Sequence, residues 1–332
     1  MTSVIAAPAG PVPVAPARRA ARRRANRRRR LTVLAFMSPW IVGFGVFFGY
    51  PLVESAWLSL NHYDLLSKPH YIGLANYRYM AHDPNFWPGV RNTLWMICIA
   101  APATVLFAFA AAMLLTRIRR GSGFFRSVFY MPTLAPAVAA TLGFVYLFNP
   151  NTGPVNRVLR ALHLPQPLWF DDPHYAKPSL TILGIWGFGT IMIVLLAALL
   201  DVPTQLYESA ELDGANAWHK LRHITLPTIS PVLLFALITS IIDALQYFTQ
   251  GYVAATVAGG GDAGAGVGSS LGYPQNSTMF YPVWLYQQGF RYFAMGYASA
   301  MAMVMLVVAV VFTVLLLRSS RLWVHSAAGR AS

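Results

Sequence analysis

Acidic residues are scarce in this chain of 332 residues, since Asp and Glu number 11 and charged residues make up 11%. A soluble protein of average composition carries about 25% charged residues. The mean hydropathy is +0.49, and the apolar residues form long blocks, which excludes an ordinary soluble domain. A bilayer core about 30 Å thick needs roughly 20 apolar residues per helix. The composition therefore predicts an all-α, polytopic membrane protein.

Cysteine and the common catalytic motifs are almost missing. Cys98 is the one cysteine, so neither an intrachain disulfide nor a cysteine pair for a metal can form. The pattern G-x-x-x-x-G-K-[ST] does not occur, so the chain lacks that type of phosphate-binding loop. The apolar blocks contain no paired carboxylates, no H-E-x-x-H and no Ser/His arrangement, which argues against an enzyme. We expect no metal and no cofactor in this chain.

Basic residues outnumber acids and give a net charge of +14, but their placement does not favour nucleic acid as a partner. Nine of the 25 lie between Arg18 and Arg30, just before the first apolar block. Residues 1–30 are rich in Pro, Ala and Arg, which predicts a disordered tail. A basic flank beside a membrane span suits contact with the anionic lipids of the cytoplasmic leaflet. No folded basic domain is present for nucleic-acid binding.

Six apolar blocks predict six transmembrane helices, at residues 31–52, 93–116, 125–148, 179–200, 228–249 and 296–317. They define a transmembrane domain over residues 31–319, followed by a short tail at 320–332. Six spans place both termini on the same side. That side carries 18 Lys and Arg residues against 7 on the other, so the positive-inside rule predicts cytoplasmic termini.

A polar segment at residues 201–228, between the fourth and fifth blocks, gathers several of the scarce acids. It includes "ESAELDGANAWHKLRHITLP". We interpret it as a cytoplasmic helix-turn-helix: a short amphipathic helix from Tyr207 to Leu212, a turn at Asp213-Gly214, and a second short helix ended by Pro227. We call residues 201–228 the coupling segment.

Two roles fit the coupling segment. Trp218, Lys220 and Arg222 could anchor it among lipid headgroups. Three acids, Glu208, Glu211 and Asp213, would be repelled by anionic lipid and instead suit docking into a cleft of another protein. The charges favour docking, while the anchor remains an alternative.

The coupling segment resembles the "EAA" loop of membrane-spanning subunits of bacterial ABC importers. The matching residues are Glu208, Ala210, Asp213-Gly214-Ala215, Ile224 and Leu226-Pro227, with Ser209 where Ala is usual and Leu221 where an aromatic is frequent. Other stretches, over about residues 35–318, are similar to the carbohydrate-uptake branch that includes the maltose, lactose and glycerol-phosphate permeases. These stretches are "YIGLANYRYM", "FWPGVRNTLW", "YMPTLAPAVAATLGFVYLF", "LYQQGF" and "MGYASAMAMV".

The resemblance implies a set of partners and roles. The coupling segment would seat in a groove of a cytoplasmic ABC ATPase, with Glu208 making a polar contact and Gly214 forming the turn. Ala210, Asp213 and Ala215 would shape the docking surface. The complex would contain a second, distinct permease, two copies of the ATPase and an extracytoplasmic sugar-binding protein, in the bacterial plasma membrane.

Polar residues inside two apolar blocks are candidates for a substrate pathway, because such residues are costly in a membrane and usually functional. Ser240, Asp243, Tyr247 and Gln250 recur at helical spacing, with Gln246 beside them. The preceding block offers Trp186, Gly187 and Thr190. The resemblance implies a sugar site lined from these two helices. Hydrogen bonding between helices, or packing against a second permease, stays open as the other interpretation.

An ion-coupled secondary carrier for a polar solute is the alternative function. Such a carrier would need a coupling carboxylate within a span, and Asp243 is the one candidate.

Overall fold

The computed structural model describes residues 16–118, 120–260 and 271–323, in two units, Met1–Trp57 and Leu58–Ser332. The first unit contains α1 (Pro16–Phe44), a π-helical turn at Gly45–Gly49 and nearly all of α2 (Tyr50–Leu58). The predicted disorder of residues 1–30 is wrong from Pro16 onward, where the chain is helical. Ala and Arg are good helix formers, and a helix extends more easily than it nucleates. Residues 1–15 of the predicted tail lie outside the described residues.

The second unit is built of helices of very different length. They are α3 (Ala75–His82), α4 (Phe86–Trp95), α5 (Ala101–Arg117), α6 (Ser122–Tyr130), α7 (Ala137–Leu147), α8 (Pro154–Ala161), α9 (Pro173–Trp186), α10 (Gly189–Leu200), α11 (Thr204–Leu212), α12 (Ala217–Lys220), α13 (Leu226–Leu245), α14 (Thr249–Ala258), α15 (Tyr281–Tyr286) and α16 (Met295–Trp323). A two-residue antiparallel pair, β1 (Asn61–His62) and β2 (His70–Tyr71), is a small departure from the predicted all-α fold.

Several helical runs are long and apolar enough to cross a bilayer. Four do so alone, at Arg28–Leu58, Phe86–Arg117, Ala217–Leu245 and Met295–Ser319. Two bent pairs would each make one more span: Ser122–Leu134 with Ala137–Leu147, bent by 96°, and Pro173–Trp186 with Gly189–Leu200, bent by 49°. The described residues thus hold four to six candidate spans, which confirms a polytopic helical membrane protein.

One apolar cluster of the second unit lies where α5, α10 and α13 pack together. Its buried residues include Ala108, Leu115, Met192, Leu195 and Ile229. Small side chains on α5 let helix backbones approach closely, which is how helices associate when lipid removes the hydrophobic driving force.

A larger apolar cluster joins α9, α15 and α16 to α4 and α13. Leu180, Phe280, Val283 and Met301 are fully buried there. The connections between spans also pack into this cluster. Asn92 donates from Nδ2 to the carbonyl oxygens of Asn276 and Met279, at 2.7 and 2.9 Å. These two bonds fix the segment before α15 against α4.

The C-terminal boundary also differs from the prediction. Helix α16 continues to Trp323, beyond the predicted end of the permease domain at residue 319. Residues 324–332 of the predicted tail lie outside the described part of the chain.

Candidate functional site

A cavity of about 550 Å³ lies within the second unit. All eight predicted pathway residues line it: Trp186, Gly187, Thr190, Ser240, Asp243, Gln246, Tyr247 and Gln250. Residues that were not predicted, such as Thr104 on α5 and Thr133 before α7, line it as well. The structure therefore brings the two predicted groups together in one concave polar space.

Residues at the breaks of several helices line this cavity. Thr133 and Ala135 stand at the break before α7, and Gly187 at the break between α9 and α10. Gln246 and Tyr247 occupy the break between α13 and α14, and Met96 begins a π-helical turn. Interrupted helices leave backbone polar groups without their usual partners, and in membranes this is tolerated where the backbone lines a cavity.

The breaks of the two bent helix pairs meet at Gly189, the first residue of α10. A methyl group there would lie 2.5 Å from the carbonyl oxygen of Phe129 and 2.8 Å from Cα of Tyr130. Only glycine allows the backbones to come this close. This contact positions Trp186 and Thr190 at the cavity wall.

Three side chains of the cavity offer polar groups that the protein itself leaves unused. The hydroxyls of Ser240 and Tyr247 are buried and have no hydrogen-bond partner among the described residues. Asp243 forms no ion pair and no hydrogen bond with that part of the chain. Its side chain is exposed to the cavity.

Other hydroxyls on the candidate spans behave differently. Thr104, Thr141 and Thr181 each donate to the backbone carbonyl four residues earlier, at 2.9, 2.7 and 2.9 Å. A hydroxyl in an apolar helix is normally satisfied in this way. Leaving a buried polar group unpaired costs about 1–3 kcal/mol. Among the described residues the hydroxyls of Thr256 and Ser277 are also buried and unpaired, and Ser240 and Tyr247 differ from them in lining the cavity.

The single helical face predicted from Ser240 to Gln250 is wrong in its geometry. Helix α13 ends at Leu245, and Gln250 lies on α14. Gln250 still lines the cavity, because the chain turns around it between the two helices. The residues selected by periodicity therefore line one cavity, although they do not share one helix.

Basic side chains do not line this cavity within the described residues; Asp243 is its one charged residue. A second, smaller cavity of about 310 Å³ is lined by Arg91, Asn92, His174 and Lys177. There the ammonium of Lys177 donates to Oδ1 of Asn92 at 3.1 Å and lies 5.5 Å from the ring centre of Trp95. Sequence reasoning missed this cavity.

The predicted turn of the coupling segment is well formed. Gly214 has a φ of +76°. The amide of Gly214 donates to the carbonyl of Glu211 at 3.0 Å, and the amide of Ala215 donates to the carbonyl of Ala210 at 2.8 Å. These two bonds with a left-handed glycine form a Schellman motif, which ends α11. Ala210, Asp213, Gly214 and Ala215 thus all belong to one helix-ending turn.

The second arm of the coupling segment differs from the prediction of a short helix ended by Pro227. It starts at Ala217, after Asn216 caps it by accepting from the amide of His219 at 2.9 Å. The helical run then continues through a π-helical turn at Leu221–Thr225 into α13, up to Leu245. Pro227 stands directly after this π-helical turn, inside the continuous helical run, and does not end it. The second arm is therefore the first part of a candidate span.

The two arms are joined by side chains. Lys220 Nζ donates to Glu211 Oε1 at 2.7 Å, and the hydroxyls of Tyr207 and Thr225 lie 2.9 Å apart. Glu208 is exposed and has no bonded partner in the described chain. Leu212, one helical turn later, is 91% exposed. Leu212 was not among the residues predicted to shape the docking surface.

Several candidate spans, an internal polar cavity and an exposed acidic turn define a membrane transport component. The chain belongs to the family of binding-protein-dependent transport system inner membrane components, whose model matches residues 104–323. This confirms the resemblance found in the sequence. Members of this family are permease subunits and not enzymes.

Named relatives cover nearly the whole chain. A probable ABC transporter permease protein of Bacillus subtilis, YesP, is 35% identical over 88% of this chain and 91% of its own. The arabinooligosaccharides transport system permease protein AraP of the same species is 30% identical over 93% and 95%. A similar fold occurs in a bacterial alginate ABC transporter crystallised in complex with its alginate pentasaccharide-bound periplasmic protein. The TM-score is 0.75, at 22% identity over 90% of this chain and 96% of that one.

Proposed function

We propose that this chain is the permease subunit of a bacterial ATP-driven importer and that it forms part of the path for a sugar. The observation that carries the proposal is the cavity that unites eight predicted polar, aromatic and small residues from Trp186 to Gln250. Relatives named for arabinooligosaccharide transport support a carbohydrate as the solute. The family match gives no support to the alternative of an ion-coupled carrier.

The proposed topology has six spans, with each bent helix pair counted as one. Basic residues then concentrate on the side of both termini, which places the termini and the coupling segment in the cytoplasm. The plasma membrane is the matching location. In this orientation the coupling segment lies on the inside, and the cavity lies among the spans, where the breaks after α9 and α13 line it.

The proposed complex holds a second, distinct permease, two copies of a cytoplasmic ABC ATPase and an extracytoplasmic binding protein. The ATPase would bind ATP-Mg, because this chain has no phosphate-binding loop of the Walker type. The binding protein would deliver the sugar to the outer face. The lipid bilayer would surround the apolar helix surfaces, and no nucleic acid takes part.

In the cavity, Tyr247 and Trp186 would contact the apolar face of a sugar ring. The hydroxyls of Ser240 and Tyr247, the carboxylate of Asp243 and the amides of Gln246 and Gln250 would bond its hydroxyl groups. Binding would then supply hydrogen-bond partners to groups that have none among the described residues.

On the inside, Glu208 and Leu212 would contact the ATPase. Because the second arm of the coupling segment continues into α13, a displacement of the segment would move Ser240 and Asp243 directly. ATP binding would close the ATPase pair, shift α13 and reopen the cavity toward the outside. The rigid turn at Gly214 and the Glu211–Lys220 ion pair would make the two arms move together.

The test uses the complete transporter in proteoliposomes with its binding protein. Glu208→Lys should lower ATP-dependent sugar uptake about 30-fold or more, because disrupting one member of a charge pair buried at an interface costs about 2–5 kcal/mol. Membrane insertion and pairing with the second permease should persist. Normal uptake by this variant, or uptake by the unmodified complex without ATP, would refute the proposed coupling.

A further inference from the structure

The single charged side chain of the cavity indicates which class of solute the cavity accepts. This inference rests on the proposed function. Asp243 is the one charged residue among the described residues that line the cavity. It has no counter-ion among the described residues: the Lys220–Glu211 ion pair and the His174–Asp172 contact lie elsewhere. The carboxylate therefore acts on whatever enters the cavity.

The protein holds cations close to its spans but places them outside this cavity. Arg91 and Lys177 line the second cavity, where Lys177 is held by Asn92 and Trp95. Neither residue lines the space that Asp243 shares with Ser240 and Tyr247. A site that binds an anion needs cations or clustered amide donors, which pair with the negative charge. This wall of the cavity offers an anion and neutral hydroxyl and amide groups.

We infer that Asp243 makes this side of the cavity selective for uncharged or cationic polyhydroxyl solutes and unfavourable for acidic sugars. The carboxylate accepts hydrogen bonds from sugar hydroxyls, which cost little to bring near it. A sugar carboxylate would meet the like charge of Asp243 and be repelled by it, even at the dielectric constant of bulk water. The acidic polysaccharide alginate, imported by a transporter of similar fold, belongs to the solutes that this wall would disfavour.

The electrostatic selectivity can be measured without knowledge of the natural sugar. Cys98 is the one cysteine of the chain and is exposed, so Cys98→Ala removes every thiol of this subunit. Thr190→Cys in that background places one thiol in the cavity. Its rates of reaction with a cationic and an anionic methanethiosulfonate of similar size are then compared in the assembled complex, and a complex without the thiol at position 190 gives the background.

The cationic reagent should react faster, and Asp243→Asn should lower the ratio of cationic to anionic rates about fivefold or more. At low ionic strength, where screening is weak, a unit charge about 8 Å from the thiol changes the two rates in opposite directions, and their ratio by this amount, even at the dielectric constant of water, about 80. Asp243→Glu should keep the ratio, because it keeps the charge. Asp64→Asn, which removes a carboxylate in an exposed loop, should also leave it unchanged.

The outcomes separate this inference from the proposed function. A reactive thiol whose rate ratio does not respond to Asp243→Asn would overturn the inference alone. If modification of that thiol also blocks sugar uptake, the cavity remains the substrate path. An unreactive thiol, or one whose modification leaves uptake unchanged, would overturn the substrate cavity and the inference with it.

Discussion

The indole Nε1 of Trp284 donates a hydrogen bond to Oδ2 of Asp83 at 2.7 Å and joins residues 201 positions apart in the chain. The hydroxyl of Tyr297 donates to the same oxygen, also at 2.7 Å. The amide of Asn85 donates to the other oxygen, Oδ1, at 2.9 Å. One buried carboxylate thus links the segment before α4 to α15 and α16.

Asp83→Ala should destabilise the protein. The substitution leaves the buried donors of Trp284 and Tyr297 without an acceptor, at a cost of about 1–3 kcal/mol each. The thermal unfolding midpoint of the purified chain in detergent should fall clearly. Asp64→Ala is the matched control, because Asp64 accepts its bonds in an exposed loop. Equal midpoints for the two variants would contradict a stabilising role of Asp83.

Asp83 shows why part of this structure could not be predicted from the sequence. Its partners stand about 200 residues away, and such pairs have no local signature. The break at Gln246–Phe248 and the π-helical turns could not be predicted either, because the length of an apolar block predicts a span but not where its helix is interrupted. The helix α1 through the Arg-rich segment was missed for another reason, because the Pro, Ala and Arg content of this segment was interpreted as disorder.

Other parts followed from local physics. Blocks of about 20 apolar residues located the candidate spans, including both bent pairs. The cost of polar groups in lipid selected Ser240, Asp243 and Tyr247, all of which line the cavity. Asp213-Gly214 marked a turn, and Gly214 indeed has a positive φ. Each of these signals depends on neighbours within one or two helical turns.

Gly214→Val should impair coupling between ATP hydrolysis and uptake while the chain still inserts and assembles. A side chain at the left-handed φ of +76° costs roughly 1–2 kcal/mol, and more for a β-branched residue. The strain would disturb the turn without a steric clash, because open space surrounds this position. The ratio of sugar transported to ATP hydrolysed measures the effect.

Gly214→Asn provides the matched control for that substitution, because Asn is among the residues that best tolerate this conformation. It should retain most of the transport ratio. An unchanged ratio in Gly214→Val, or an equal loss in both variants, would show that the left-handed conformation does not matter for coupling.

Leu212→Ala should weaken binding of the ATPase with little effect on the stability of the chain. Leu212 is 91% exposed, so the folded protein loses almost no packing. A leucine that becomes buried on docking would contribute about 1.5–3 kcal/mol, and part of this is lost on truncation to alanine. The affinity between the permease complex and the ATPase, measured by titration in nanodiscs, should fall about three- to thirtyfold.

Leu66→Ala is the control for Leu212, because Leu66 is 93% exposed in the connection before β2. It should leave ATPase binding unchanged. If Leu212→Ala binds the ATPase as well as Leu66→Ala does, the exposed turn of the coupling segment is not the docking surface.

Tyr247→Phe and Ser240→Ala should weaken transport without lowering the stability of the protein. Both hydroxyls are buried and lack partners among the described residues, so their removal relieves an unsatisfied polar group and should leave the unfolding midpoint unchanged or higher. A sugar bound in the cavity would lose one hydrogen bond, worth about 0.5–1.5 kcal/mol. The KM for uptake should therefore rise about two- to tenfold while the midpoint does not fall.

Thr239→Val is the control, because its hydroxyl already donates to the carbonyl of Phe235 at 3.0 Å, and it should leave the KM unchanged. A lower midpoint with an unchanged KM in Tyr247→Phe and Ser240→Ala would instead show that these hydroxyls serve packing between helices.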